Sequence, residues 1–139
     1  MLGSLLGDGS LAMSSTSVNP YFIFTQTLKR FWYVWSMFSE LASLCQKIPG
    51  LNGSNRYGVI SYFMQIHTRS YPFFLEFYNL FYPLINGART KIIPVIPFHH
   101  FDALALAVLA MDDGSYSPSG FYIHTKGIII NDVYRLAGL

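Results

Sequence analysis

The chain has 139 residues and a formal net charge of +2, and it is 52% hydrophobic, 17% aromatic and 12% charged. Its length fits one domain with a real hydrophobic core. Soluble domains carry about 25% charged residues, so the low charge indicates a surface covered by a partner chain, a large assembly or a membrane. A spanning helix is excluded, because the best apolar run, residues 31–45, contains Glu40 and is shorter than the ~20 residues that a bilayer requires. No segment resembles a cleavable signal peptide.

The first half of the chain is predicted to alternate between helices and strands. In order, we expect a helix at 1–7, an irregular edge strand at 10–18, a strand at 20–27, an amphipathic helix at 31–48, a strand at 59–70 and a helix at 71–84. Pro49-Gly50 and residues 53–55 are predicted turns. The lone cysteine, Cys45, falls in the apolar pattern of a helix, which favours a small buried side chain in a reducing compartment.

Residues 59–70 alternate in a way that is typical of a strand with two unlike faces. One predicted face is apolar: Tyr62, Met64 and Ile66. The other is polar: Ser61, Gln65, His67 and Arg69, with Phe63 breaking the pattern. Alternation alone fits a solvated sheet face and a binding face equally well.

The second half begins with an extended segment at residues 89–97, interrupted by two prolines. A helix at 101–111, a strand at 120–124 and a helix at 131–139 are predicted to follow it. The adjacent His99 and His100 leave two interpretations open. Neighbouring histidines on an extended segment rarely converge on one ion, so a role at the entry of the following helix is favoured over a metal site.

Two apolar runs that end in Asp-Gly stand out from this background. They are MLGSLLGDG at the start of the chain and LAVLAMDDGS at residues 106–115. Such a helix can bury its apolar stripe against a twin and present one carboxylate at its C-terminal end. The glycine is expected to end the helix in a left-handed conformation. A single Asp-Gly is usually ordinary turn chemistry, but two copies about 105 residues apart are harder to explain in that way.

Between the two runs the order is PYFIFTQT, KRFWYVWSMFSELASLCQKI, VISYFMQIHTRS, YPFFLEFYNLFYPL and RTKIIP. With these segments in this order, the chain from residue 1 to about 124 resembles the LAGLIDADG homing endonucleases, in particular the two-motif, single-chain branch of organellar introns. The most specific part of the resemblance is the DDGS helix with KIIP before it.

The resemblance implies an α+β fold with one αββαββα unit, the second motif helix and a partial second unit. Residues 1–100 would form the first unit, and residues 101–139 the second helix and the start of the next unit. The second DNA-binding sheet would then be nearly absent, and we expect a truncated protein that does not cleave duplex DNA alone.

The resemblance also implies a catalytic site at the ends of the two motif helices. Asp8 and Asp113 would share Mg²⁺, since hard oxygen ligands suit this ion, and Lys91 would lie near the scissile phosphate. Asp112 is expected to point away on another helical face. Close packing of the helix pair would involve three glycines: Gly3, Gly9 and Gly114.

Base contacts in this family come from strands in the major groove, where Gln and Arg side chains make bidentate contacts. The corresponding candidates are Gln26, Gln65, His67, Arg69 and Lys126. The nine Lys and Arg residues are spread thinly, which is a weak footprint for phosphate binding.

Two function hypotheses follow. The first is a non-enzymatic RNA- or protein-binding component of an organellar assembly such as the mitochondrial ribosome, derived from an endonuclease and without a cofactor. The second is a Mg²⁺-dependent DNA homing endonuclease that a separate chain completes. The low charge and high aromatic content favour the first, and the presence of Asp8, Lys91 and Asp113 favours the second. In both cases the protein is expected in the mitochondrion or another organelle, and encoded there. Its expected partners are a nucleic acid, RNA or duplex DNA, and a partner chain or a large ribonucleoprotein assembly. No membrane role is expected.

Overall fold

The computed structural model describes residues 1–95, 101–125 and 128–138. The helices and strands in chain order are α1 (Leu2–Leu6), β1 (Ser10–Ala12), β2 (Tyr21–Thr27), α2 (Phe31–Leu41), β3 (Gly50–Arg56), β4 (Val59–His67), α3 (Phe73–Phe81), β5 (Leu84–Ile85), β6 (Ala88–Arg89), α4 (Ala103–Asp113), β7 (Gly114–Ser117), β8 (Gly120–Ile123) and α5 (Ile130–Ala137). This order confirms the predicted α+β class: an αββαββα series is followed by two short strands, the second motif helix, two more strands and a final helix. None of the helices in the described ranges has the length and apolar character needed to cross a membrane.

Contacts divide the chain into two compact units. Unit 1 comprises Met1–Asp8 and Glu76–Leu139, and unit 2 comprises Gly9–Leu75. The sequence predicts a boundary at residue 100, where the motif repeats. A division by compactness does not test a boundary of that kind, so it stays a prediction.

Unit 2 is an antiparallel sheet with strand order β1-β2-β4-β3. Alternate residues of β2 and β4 turn towards α2, and the side chains that are buried on this face are Phe22, Phe24, Met64 and Ile66. Helix α2 supplies the matching stripe, Val34, Met37 and Leu41. Their spacing of three and four residues places them on one side of the helix, so this face of the sheet is the core of unit 2.

Several local predictions for unit 2 are wrong. Helix α2 ends at Leu41 rather than at residue 48, and strand β1 ends at Ala12 rather than at residue 18. Residues 53–55, predicted as a turn, lie within β3, because pairing with β4 along the whole hairpin outweighs the turn preference of glycine and asparagine. Tyr62, predicted to be buried, is 53% exposed, since the outer half of the β3–β4 hairpin extends past the apolar stripe of α2. Cys45 is a half-buried free thiol, and burial raises its pKa.

In unit 1, helix α1 packs against α4. Asp102 caps the N-terminus of α4, and its carboxylate accepts a hydrogen bond from the Ala105 amide at 2.8 Å. A side-chain oxygen at this position satisfies an amide that the helix itself leaves unpaired. The unit 1 core contains aliphatic and aromatic side chains from both motif helices and the segments beside them: Leu5, Leu6, Phe81, Ile93, Val108 and Leu109.

Candidate functional site

The two motif helices meet at Gly3. A methyl group on this residue would overlap the carbonyl oxygen of Ala105 and lie 2.8 Å from its carbonyl carbon. The backbones of α1 and α4 can approach this closely only because no side chain separates them. The predicted close contact at Gly3 is therefore confirmed.

The other two glycines that were assigned to helix packing have different surroundings. Gly114 has φ −88° and ψ 151°, and a Cβ there would overlap the carbonyl oxygen of Ala110 in its own helix and the ring of Phe121. Gly9 is buried, and like Gly114 it has no positive φ. The left-handed helix ends predicted for these glycines are wrong. At Gly114 a crowded contact, rather than the sign of φ, excludes a side chain.

The carboxylate of Asp112 lies at the ends of the two helices. Its Oδ2 accepts a hydrogen bond from the Asp8 amide at 3.2 Å, and the side chain is 7% exposed. Gly7 has no side chain at the point of contact, where a Cβ would be 2.6 Å from the Cβ of Asp112. The prediction that Asp112 points away is wrong, because the gap at Gly7 receives it. The Gly-Asp-Gly and Asp-Asp-Gly ends of the two motifs are the sequence signal for this pairing.

Lys91 brings a positive charge to the same place. Its Nζ donates a hydrogen bond to the carbonyl oxygen of Gly7 at 3.0 Å. Burial of the ammonium lowers the pKa of Lys91, and the negative charges of Asp113, Asp8 and Asp112 oppose that shift. The structure thus brings Lys91 together with Asp8 and Asp113, as the sequence predicts, and adds Asp112 to the group. We call these four residues the acid–lysine cluster.

A cavity of about 540 Å³ opens beside this cluster, and Lys91, Asp113 and His124 contribute to its wall. The His124 amide donates to the carbonyl oxygen of Asp113 at 2.7 Å, so the end of β8 is tied to the end of α4. From the sequence, His124 is predicted only to end a strand. Asp8 is exposed and Asp113 is half-buried.

The donor set is compatible with a hard divalent cation. Mg²⁺ keeps several waters and needs only one or two protein carboxylates, which Asp8 and Asp113 can provide. Within the described ranges, no three or more His, Cys, Asp or Glu side chains form a complete metal-binding group. Waters and phosphate oxygens would have to fill the remaining positions around the ion.

The second candidate site is the face of the unit 2 sheet opposite α2, which we call the open face. Directly paired residues of antiparallel strands point to the same face, and Gln65 is paired with Thr25 on one side and Gly50 on the other. The open face therefore includes alternate residues of three strands: Tyr21, Ile23, Thr25, Gly50, Asn52, Ser54, Arg56, Ser61, Phe63, Gln65 and His67.

Two of the predicted contact residues lie on this face. The Gln65 side-chain amide donates to the hydroxyl of Thr25 at 2.9 Å, and the ring of His67 stacks on Tyr21 with 5.8 Å between centroids. These neighbours restrict the rotamers of both side chains and hold their polar edges in place. A depression of about 250 Å³ beside them is lined by Lys47 and Asn52 among others.

Gln26 does not belong to the open face. It is 8% exposed and alternates with Thr25 on β2, which places it with Phe24 on the buried face. Side chains alternate along a strand, so Gln26 cannot lie on the same face as Thr25. The prediction that Gln26 contacts nucleic acid is wrong for the open face. Arg69 is exposed just beyond the end of β4.

Sequence reasoning missed the β3 contribution, which includes Asn52, Ser54 and Arg56. Their spacing of two residues was the available signal, but Gly53 and Asn55 between them favoured a turn. The predicted contact residue Lys126 and the histidine pair at 99–100 lie outside the described residues.

Comparisons with known proteins agree with this architecture. The sequence model of the LAGLIDADG DNA endonuclease family matches residues 1–138. Among solved structures, the homing endonuclease I-WcaI bound to its DNA recognition sequence is similar, with a TM-score of 0.80 and 20% identity. That match covers 99% of this chain and 62% of the I-WcaI chain, so this chain spans less than two thirds of the length of its structural relative. No curated protein matches.

Proposed function

The chain belongs to the LAGLIDADG DNA endonuclease family, and from this premise we propose that it binds duplex DNA through the open face of its sheet. The observation that carries the proposal is the set of hydrogen-bonding side chains that β2, β3 and β4 present on one face. The solved relative is described as bound to its DNA recognition sequence. A face of this kind is the surface that a DNA-binding member of the family would use.

The β3–β4 hairpin has dimensions that suit the major groove. The groove is about 12 Å wide and admits a two-stranded ribbon. The hairpin is seven residues long on one strand and nine on the other, and it turns at Tyr57, which is fully exposed. Asn52 and Gln65 carry amides that can pair with adenine, and Arg56 carries a guanidinium that can pair with guanine.

We further propose that the acid–lysine cluster cleaves a phosphodiester bond when the DNA-binding surface is complete. Asp8 and Asp113 would hold Mg²⁺, which would supply charge stabilisation and an activated water at the scissile phosphate. Lys91 would place its ammonium against the negative charge that develops on the phosphate oxygens. Burial of Asp112 against Gly7 would keep the Asp8 backbone in place while the phosphate binds.

Cleavage of two strands needs two phosphate sites and contacts to both halves of a target. This chain spans 62% of the length of I-WcaI, and the sheet of unit 2 is the one four-stranded sheet in the described residues. We propose that a further segment or a second chain supplies the other sheet, and that this chain alone binds a half-site.

A second candidate function is a non-cleaving component of an organellar RNA–protein assembly such as the mitochondrial ribosome. The exposed aromatic side chains of α2 favour it: Trp32 is 79% exposed, and Phe31 stacks on Trp35 with 5.9 Å between centroids. Aromatic side chains on a surface are typical of sites covered by a partner. A mitochondrial or other organellar location belongs to this proposal and to the first alike.

The decisive experiment selects binding sites from a duplex DNA library with the purified chain, with and without Mg²⁺. We expect enrichment of a defined half-site and no specific double-strand break. Asp8→Asn and Asp113→Asn variants should retain binding, since their carboxylates serve cleavage, whereas Arg69→Ala should weaken it. Equal binding of random duplexes, with tight binding of structured RNA, would replace the first proposal by the second. Specific double-strand breaks from a monodisperse monomer would contradict the need for a second sheet.

A further inference from the structure

An ion pair in α5, with a buried carboxylate and a partly exposed guanidinium, lies outside the cluster described above. Asp132 is 3% exposed, and its Oδ1 accepts a hydrogen bond from Nη1 of Arg135 at 2.8 Å. Its Oδ2 accepts a second hydrogen bond, from the backbone amide of Ile93 at 3.0 Å. A buried carboxylate is stable only with partners of this kind, so Asp132 links α5 to the backbone at Ile93.

The same arginine completes the contact. Nη1 of Arg135 also donates to the carbonyl oxygen of Ile93 at 3.2 Å. Two side chains therefore satisfy both polar groups of one peptide residue, a role that a neighbouring strand would otherwise fill. We call Asp132 and Arg135 the Ile93 clamp.

The clamp fixes the chain two residues after Lys91. Both immediate neighbours of Lys91 are bonded as well: the Ile92 amide donates to the carbonyl oxygen of Phe81 at 2.8 Å, and on the other side the Thr90 amide donates to that of Pro83 at 3.2 Å. Lys91 is thus held between anchored neighbours while its Nζ reaches the Gly7 carbonyl. Without such anchors, a lysine on an irregular segment would sample many positions at an entropic cost.

We propose that Asp132 and Arg135 are positioning residues that hold the Ile93 backbone so that Lys91 reaches the acid–lysine cluster. The pair touches no reacting atom and acts through the backbone. The inference rests on the proposed function only in the claim that a correctly placed Lys91 serves cleavage. A purely structural role would leave the surroundings of Lys91 unchanged as long as the chain stays folded.

The test is nuclear magnetic resonance of protein with isotope-labelled lysine side chains, combined with amide hydrogen exchange. The chain has four lysines, so a Lys91→Arg variant assigns the Lys91 signal. In Arg135→Leu we expect the Lys91 signal to move towards those of exposed lysines. The Ile93 amide should exchange about tenfold to a hundredfold faster, because Asp132, which accepts its hydrogen bond, loses the guanidinium that holds its carboxylate in place. Arg135→Lys should restore part of both effects.

A charge control and a fold control keep the result interpretable. Arg30→Leu removes the same charge from unit 2 and should leave the Lys91 signal in place. An unchanged Lys91 signal and an unchanged Ile93 exchange rate in folded Arg135→Leu would overturn the proposal. If Arg135→Leu does not fold, the same Lys91 signal and Ile93 exchange rate are measured in Asp132→Asn and compared with those of the wild type. A wild-type Ile93 amide that exchanges as fast as an exposed loop amide would overturn the clamp.

Cleavage separates this inference from the proposed function. The cleavage assay uses protein whose second sheet has been supplied, with a full DNA target and Mg²⁺. Arg135→Leu should lower the single-turnover rate of cleavage at least tenfold at saturating DNA, while the Kd for DNA stays unchanged. If the wild type cleaves nothing, the proposed cleavage fails, and the resonance and exchange results still decide the clamp. A variant that cleaves at the wild-type rate would overturn the positioning role.

Discussion

Substitution of Gly3 by alanine tests whether the two motif helices depend on contact between their backbones. The new Cβ would lie 2.8 Å from the carbonyl carbon and 2.9 Å from the Cα of Ala105, and it would overlap the carbonyl oxygen. Ordinary carbon–carbon contact requires about 3.5–4.0 Å, so the helices would have to separate by roughly 1 Å.

The cost can be estimated from two opposing terms. Overpacking in a core costs about 1–3 kcal/mol, and the upper end applies here because the obstacle is backbone rather than a side chain that can rotate. Alanine gains about 0.8–1 kcal/mol over glycine from helix propensity. We expect Gly3→Ala to be less stable by about 2 kcal/mol, which corresponds to a melting temperature lower by about 6–10 °C.

The assay is thermal and guanidinium unfolding of Gly3→Ala beside Gly138→Ala. At Gly138 the added Cβ would meet carbonyl oxygens at 3.5 and 3.6 Å, which is ordinary contact, so this control should stay within about 0.5 kcal/mol of wild type. Mg²⁺ binding measured by calorimetry should also weaken in Gly3→Ala, since separating the helices moves Asp8 away from Asp113. A Gly3→Ala chain as stable as wild type would refute the close-contact reasoning.

Three further outcomes can be measured. Ser4→Ala should raise the free energy of unfolding in urea by about 1 kcal/mol. The Ser4 hydroxyl is the one side-chain polar atom in the described ranges that is fully buried without a hydrogen bond. Ser39→Ala, which removes an exposed hydroxyl, is the control. Gln65→Ala should weaken binding to a selected DNA site by ~1–3 kcal/mol, measured by titration beside Asn131→Ala on α5; equal losses would place recognition elsewhere. Burial lowers the pKa of Lys91 below its ordinary 10.5, so the unfolded chain binds more protons just below that pH. The stability of wild type relative to Lys91→Met should therefore rise as the pH approaches 10.5, and a flat difference would contradict the desolvation.

The sequence predicted the order of the elements well because strong periodic patterns determine most of them. The stripe of α2 and the apolar runs of the motif helices are local features, and their spacing directly defines a buried face. The Asn86-Gly87 turn between β5 and β6, with φ of 51° and 79°, also follows a readable hairpin rule. The matching turn at Tyr57 was less readable, since tyrosine rarely adopts a positive φ.

The errors arose where a distant partner decides the outcome. Strand β3 contains two glycines and two asparagines, and only its pairing with β4 makes it a strand. Asp112 could not be assigned a direction without knowing that Gly7 leaves a gap opposite it. The Ile93 clamp joins residues about 40 positions apart, and no local spacing announces such a contact.

The composition of β3 has a consequence for how the chain behaves at high concentration. As an outer strand of the sheet, it presents backbone groups that another chain could pair with, and such pairing is a common route to fibres. Its sequence, GLNGSNR, has one apolar residue and ends in a positive charge. Glycine, asparagine and serine have low strand propensity, so growth of a fibre from this edge is disfavoured. The residues that made β3 hard to predict thus also protect the hairpin from self-association.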